Sequence, residues 1–142
     1  MLSTIFKSYQ YVKKNILIVC SVCAISCATN NNRNEFNNYL LSDKLTIHFL
    51  EQYANNKVNI SDPKGFIKNR KEISYTIDNT KVSIVSKNEL VDFILVEYVL
   101  NKDLAFLAFL KKGENKVICF LFNKGKHKGQ WMLIEKFEKS NV

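Results

Sequence analysis

The chain has 142 residues, the length of one domain rather than two, and 46% of them are apolar, which excludes disorder throughout. Its 21 Lys and Arg against 13 Asp and Glu give a formal charge of +8. Three of those cations, Lys7, Lys13 and Lys14, precede residue 15, and the +5 left on the rest reads as a Lys-rich solvated surface rather than a nucleic-acid footprint.

The amino end has three parts in order: a cationic segment with no acid, the apolar run Ile16-Leu17-Ile18-Val19-Cys20-Ser21-Val22-Cys23-Ala24-Ile25, and the small residues Ser26-Cys27-Ala28. This is the layout of a secretory signal peptide. The apolar run is too short for a span, which needs roughly 20 apolar residues. Its end, Ala24-Ile25-Ser26-Cys27, resembles the lipobox of bacterial lipoproteins in the relaxed spirochaetal form, with Ala24 where Leu is preferred. That resemblance implies cleavage before Cys27, a diacylglyceryl thioether on its thiol and acylation of the new amino group, palmitate being the usual class of chain. It implies an exported protein anchored to the inner membrane, the outer membrane or the surface of a bacterial envelope. The competing expectation is plain secretion, with ordinary signal peptidase cutting after Ala28.

Cys20 and Cys23 have CxxC spacing, but both fall in the apolar run, where they serve as small apolar residues. The fourth cysteine, Cys119, lies in Val117-Ile118-Cys119-Phe120-Leu121-Phe122 and is expected to be a buried, inert thiol. With Cys27 lipidated, no internal disulfide can form, so packing must stabilise the domain.

Residues 27–38, rich in Asn, read as the lipidated cysteine and a flexible tether, leaving 39–142 as a single domain. Tyr39 to about Asn56 reads as a helix, with Leu41, Leu45, Phe49 and Tyr53 spaced by four and Ser42 at its N-cap. Asn59 to Arg70 carries the only proline and reads as a loop. Beyond it come strands: Glu72–Ile77 and Val82–Val85 around the turn signal Asp78-Asn79-Thr80-Lys81, then Leu90–Leu100, Leu104–Leu110, Val117–Phe122 and Gln130–Glu138.

The expected class is therefore α+β, one amino-terminal helix followed by an antiparallel meander of five or six strands. The order of elements resembles the cystatin-like and nuclear transport factor 2-like folds, and the latter implies, as an alternative, a cavity-bearing enzyme. The middle strands are apolar on both faces: Leu104, Phe106, Ala108 and Leu110 alternate with Ala105, Leu107 and Phe109. A sheet wet on one side alternates cleanly. One face is thus expected under the helix, and the other under the curvature of the sheet itself, a loop, a ligand in a cavity, or a partner protein or second subunit.

Catalytic signatures are absent. His48 and His127 lie on different elements, and neither a serine elbow, a metalloprotease helix nor a phosphate-cradling loop occurs. Asp92 and Glu97 are an odd number of positions apart on one expected strand and should face opposite ways, which argues against paired acid–base work. No cofactor and no metal-ligand spacing is legible. Two basic clusters, Lys68, Arg70 and Lys71, and Lys124, Lys126 and Lys128, are candidates for contact with anionic headgroups or glycans. Being mostly Lys on an exported chain, they argue against nucleic acid. Sequence thus points to an envelope lipoprotein acting as a non-catalytic binding or structural module, with Cys27 as the lipidation site.

Overall fold

A computed structural model describes residues 30–67, 72–87, 90–125 and 129–140. Cys20, Cys23 and Cys27 lie outside the described residues, as do Lys68, Arg70, Lys71, Lys126, His127 and Lys128. The class is α+β: two helices, α1 (Asn30–Ser42) and α2 (Lys44–Glu51), precede seven strands in one sheet.

The helical region differs from expectation at both ends. The stretch read as a tether is helical from Asn30, because it is not devoid of apolar anchors: Phe36 is fully buried and Leu40 nearly so. A buried Phe contributes about 1.5–3 kcal/mol of transfer free energy, enough to offset poor Asn helix propensity. The continuous helix read over 39–56 is broken at Asp43, whose Oδ2 accepts the Thr46 amide hydrogen at 3.1 Å and so caps α2. Ser42, expected as the cap, instead closes α1, its hydroxyl donating to the carbonyl of Tyr39 at 2.9 Å. The break resets the helical phase. Ile47 and Leu50 face inward, whereas Leu45, expected on the apolar stripe, is 69% exposed.

The sheet corrects the meander. Its strands are β1 (Lys57–Ser61), β2 (Ile73–Ile77), β3 (Thr80–Val85), β4 (Phe93–Leu100), β5 (Leu104–Lys111), β6 (Lys116–Lys124) and β7 (Trp131–Ser140). They lie in the order β2-β3-β1-β4-β5-β6-β7, and β1 runs parallel to both its neighbours. The sheet is therefore mixed and seven-stranded, where five or six antiparallel strands were expected. The extra strand falls at the start of the segment read as a loop. Lys57-Val58-Asn59-Ile60-Ser61 alternates, with Val58 and Ile60 buried, but it is short and carries no turn signal of its own.

The remaining strands follow the expected places. Asp78 and Asn79 both take positive φ, 44° and 72°, forming the two-residue turn whose twist suits a hairpin between β2 and β3. From β4 onward the chain is an antiparallel meander, with bulges at Leu95/Glu97 and Leu121/Phe122. Helices α1 and α2 cover one face. Phe36 packs edge-on against Trp131 and Phe122, with ring centres 4.8 and 5.3 Å apart, and Phe49 meets Phe120 at 5.7 Å.

Candidate functional site

The uncovered face of the sheet changes character halfway across. On β2, β3 and β1 the side chains turned away from the helices are polar except for Val85, among them Ser74, Thr76, Lys81, Ser83 and Asn59. This is the clean alternation of a sheet wet on one side. On β4 to β7 the same face is apolar. Ile94 and Val99 on β4 stand beside Leu110 and Phe106 on β5, and Ala108 beside Cys119 on β6. Leu121 of β6 is opposite Phe106, and Phe137 of β7 is opposite Cys119. The rings of Phe106 and Phe137 stack with centres 6.4 Å apart. No described helix or strand covers this patch, and Phe137 is 43% and Met132 56% exposed.

Charges lie along the two outer strands of the patch, β4 and β7. Glu97 lies exposed opposite Ala108, while Glu135 and Lys139 flank Phe137 on the same face of β7. Cys119 is buried under its neighbours, and burial pushes its thiol up, with the Lys139 ammonium opposing that shift. The thiol therefore stays protonated near neutral pH and is a poor nucleophile.

Asp92 and Tyr98 are occupied by structural work, and the polar residues considered for chemistry do not converge. The Asp92 carboxylate accepts from the backbone amide and the side-chain amide of Asn59, at 3.0 and 2.9 Å, and so ties β1 to the start of β4. Tyr98 lies on the helix side, where its hydroxyl donates to Asn37 Oδ1 at 2.7 Å and its ring stacks on Phe66. Burial raises the Tyr98 hydroxyl; the Arg33 charge opposes this and the Asp62 carboxylate adds to it. Asp92, Glu97 and Tyr98 thus stand at three separate places.

His48 projects from α2 into solvent beside Glu51, 3.3 Å away. These two line a small cleft of about 180 Å³ with Lys44, Ile77 and Asp78. The cleft is too shallow and exposed to exclude water from a reaction. Among the described residues no group of three or more His, Cys, Asp or Glu could hold a metal ion, and no helix is long and apolar enough to cross a membrane. Of the six basic residues expected at an anionic contact, Lys124 is the one described. Its ammonium pairs with Glu35 at 2.7 Å and sits over the Trp131 ring, so it serves to hold α1 on β6.

Sequence reasoning foresaw a second apolar face but not its limits or its border. The bulge at Leu121/Phe122 shifts the phase of β7, so the alternation of that strand could not be carried through by counting. The available signal was Glu135-Lys136-Phe137-Glu138-Lys139, whose charges alternate in sign about an aromatic centre. No protein-family model matches this chain, and neither a curated protein nor a solved structure is significantly similar to it.

Proposed function

We propose that the protein is an exported lipoprotein of a bacterial cell envelope, anchored through lipid on Cys27, whose folded part works by binding rather than catalysis. The observation that carries the binding reading is the split character of the open sheet face. Its polar half needs no cover, while its apolar half, centred on Phe106 and Phe137, would be costly to leave in water. The dispersal of Asp92, Glu97, Tyr98 and His48 supports a binding role over a cavity enzyme.

The anchor rests on the leader: Lys7, Lys13 and Lys14, the short apolar run and Ala24-Ile25-Ser26-Cys27. Helix α1 begins three residues after Cys27, so an anchored domain would sit close against the lipid surface instead of on a long tether.

Labelling of cells with a radioactive fatty acid, for the wild type beside Cys27→Ala, tests the anchor. The wild type takes up label and fractionates with membranes, and Cys27→Ala does neither. A wild type that takes up no label and is released with its amino terminus just past Ala28 is a plainly secreted protein.

A further inference from the structure

We infer that β7 joins a second copy of this chain edge to edge and antiparallel, about a two-fold axis at Phe137, so that the apolar faces of the two sheets run on into each other. This names a partner at the rim of the binding face proposed above and rests on that reading. Strand β7 is ten residues long and lies at the edge of the sheet, paired with β6 alone. Its outer row of amide and carbonyl groups is a template for another strand. Sheets blunt such an edge with proline, charged side chains, inward-pointing charges or a bulge. This edge has no proline, but it carries a bulge opposite Leu121/Phe122 and the inward charges Lys136 and Glu138, so whether it pairs depends on how its charges match.

What it carries is a self-complementary charge pattern, Glu135-Lys136-Phe137-Glu138-Lys139. In an antiparallel pair centred on Phe137, Glu135 faces Lys139 of the second copy and Lys136 faces Glu138 of the second copy. Each pair occurs twice by symmetry. Centring the axis one residue earlier sets Lys136 against itself, and one residue later sets Glu138 against itself. Opposite charges directly across a strand pair stabilise it and like charges destabilise it, so the pattern selects one register.

The same register serves the apolar face. Glu135, Phe137 and Lys139 lie on the open side of the sheet, so the two Phe137 rings meet there, each already stacked on its own Phe106. On the helix side, Lys136 is held over the Phe49 ring at 3.6 Å. Glu138 is held by the Tyr53 hydroxyl and by Lys116 at 3.5 Å. Both side chains are therefore already ordered by contacts within their own protomer.

The test is the oligomeric state of the full chain, extracted in detergent and followed by sedimentation, for wild type, Glu135→Lys, Lys139→Glu and the double reversal. The wild type is expected to be dimeric. Each single reversal weakens dimerisation roughly tenfold, because it makes two like-charge contacts at once. The double reversal restores the dimer, and a mixture of the two single variants forms a mixed dimer. That rescue separates loss of pairing from loss of fold. A dimer indifferent to all the reversals overturns the β7 register and the inference with it, and so does a monomeric wild type.

A monomer would be resolved further by modifying Phe137→Cys, in a Cys119→Ala background, with a bulky maleimide. Rapid modification leaves an open face for a different partner, so the self-pairing falls and the binding reading stands. Protection within a monomer means that the chain covers its own face, and both fall.

Discussion

Asn37 and Asp62 are buried polar side chains that shape the loop after β1, and Asn37 fastens the helical layer to it. Asn37 Nδ2 donates to the carbonyls of Phe66 and Ile67 at 3.0 and 2.7 Å, and the Asp62 carboxylate accepts the amide hydrogens of the same two residues at 3.0 and 2.8 Å. Satisfied in this way, buried polar groups specify one arrangement instead of penalising it. Tyr75 is the contrasting case, since its buried hydroxyl has no hydrogen-bond partner among the described residues. Burial pushes that hydroxyl up to about 12, and burial with the Asp43 carboxylate does the same for Tyr39. A raised folded-state value stabilises the fold fully below the ordinary value near 10 and loses that contribution as pH climbs towards 12. Chemical denaturation midpoints are therefore expected to fall between pH 10 and pH 12. Tyr75→Phe should be at least as stable as wild type at pH 7, because it removes an unsatisfied hydroxyl, and should fall less steeply over the alkaline range. A steeper fall in the variant would count against the burial of Tyr75.

At the scale of elements, the break between α1 and α2 decides what each helix buries. Asp43 terminates one phase and begins another, so Phe36 and Leu40 address β4, β6 and β7 while Ile47 and Leu50 address β1 and β3. The cap is made twice, by the Thr46 amide and by the Thr46 hydroxyl. Asp43→Ala is expected to cost about 1 kcal/mol, read as a lowered urea midpoint with unchanged slope. Asp43→Asn should recover most of the loss. The periodic positions after residue 43 were legible as helical, but not the jump in phase. Extending one stripe through the break put Leu45 inward, whereas it is exposed. A cap is a local signal, and it was read one residue early: the Asp43 carboxylate, with Thr46 three residues ahead, makes the cap that Ser42 was expected to make.

For the whole molecule, the placement of β1 matters most. A five-residue strand, whose last three residues were read as the start of a loop, stands between β3 and β4, parallel to both, and joins the hairpin β2–β3 to the meander β4–β7. Without it the sheet would fall into two pieces. Hydrogen exchange checks this directly. The amides of Val58 and Ile60 should be protected to the same degree as those of Leu107 and Phe109 in β5, despite the shortness of β1. Exchange of Val58 and Ile60 at the rate of an open loop would remove β1 from the sheet. The same insertion divides the open face, because β1, β2 and β3 bring Asn59, Ser74 and Ser83 to one side of it and leave the apolar patch on the other.

The local properties of the chain were open to reading residue by residue. They include the hairpin at Asp78-Asn79, the four later strands and the two-sided apolar character of β5 and β6. Each depends on neighbours within a few positions, where period, turn chemistry and charge act directly. Long-range packing settled the rest. Burial of Phe36 made an Asn-rich segment helical, a parallel slot between distant strands made a strand of Lys57–Ser61, and bulges reset the faces of β4 and β7. The physical reason is that a short or polar segment takes its conformation from the apolar surface it can cover and the ladder it can complete. Both are supplied by residues far away in the chain.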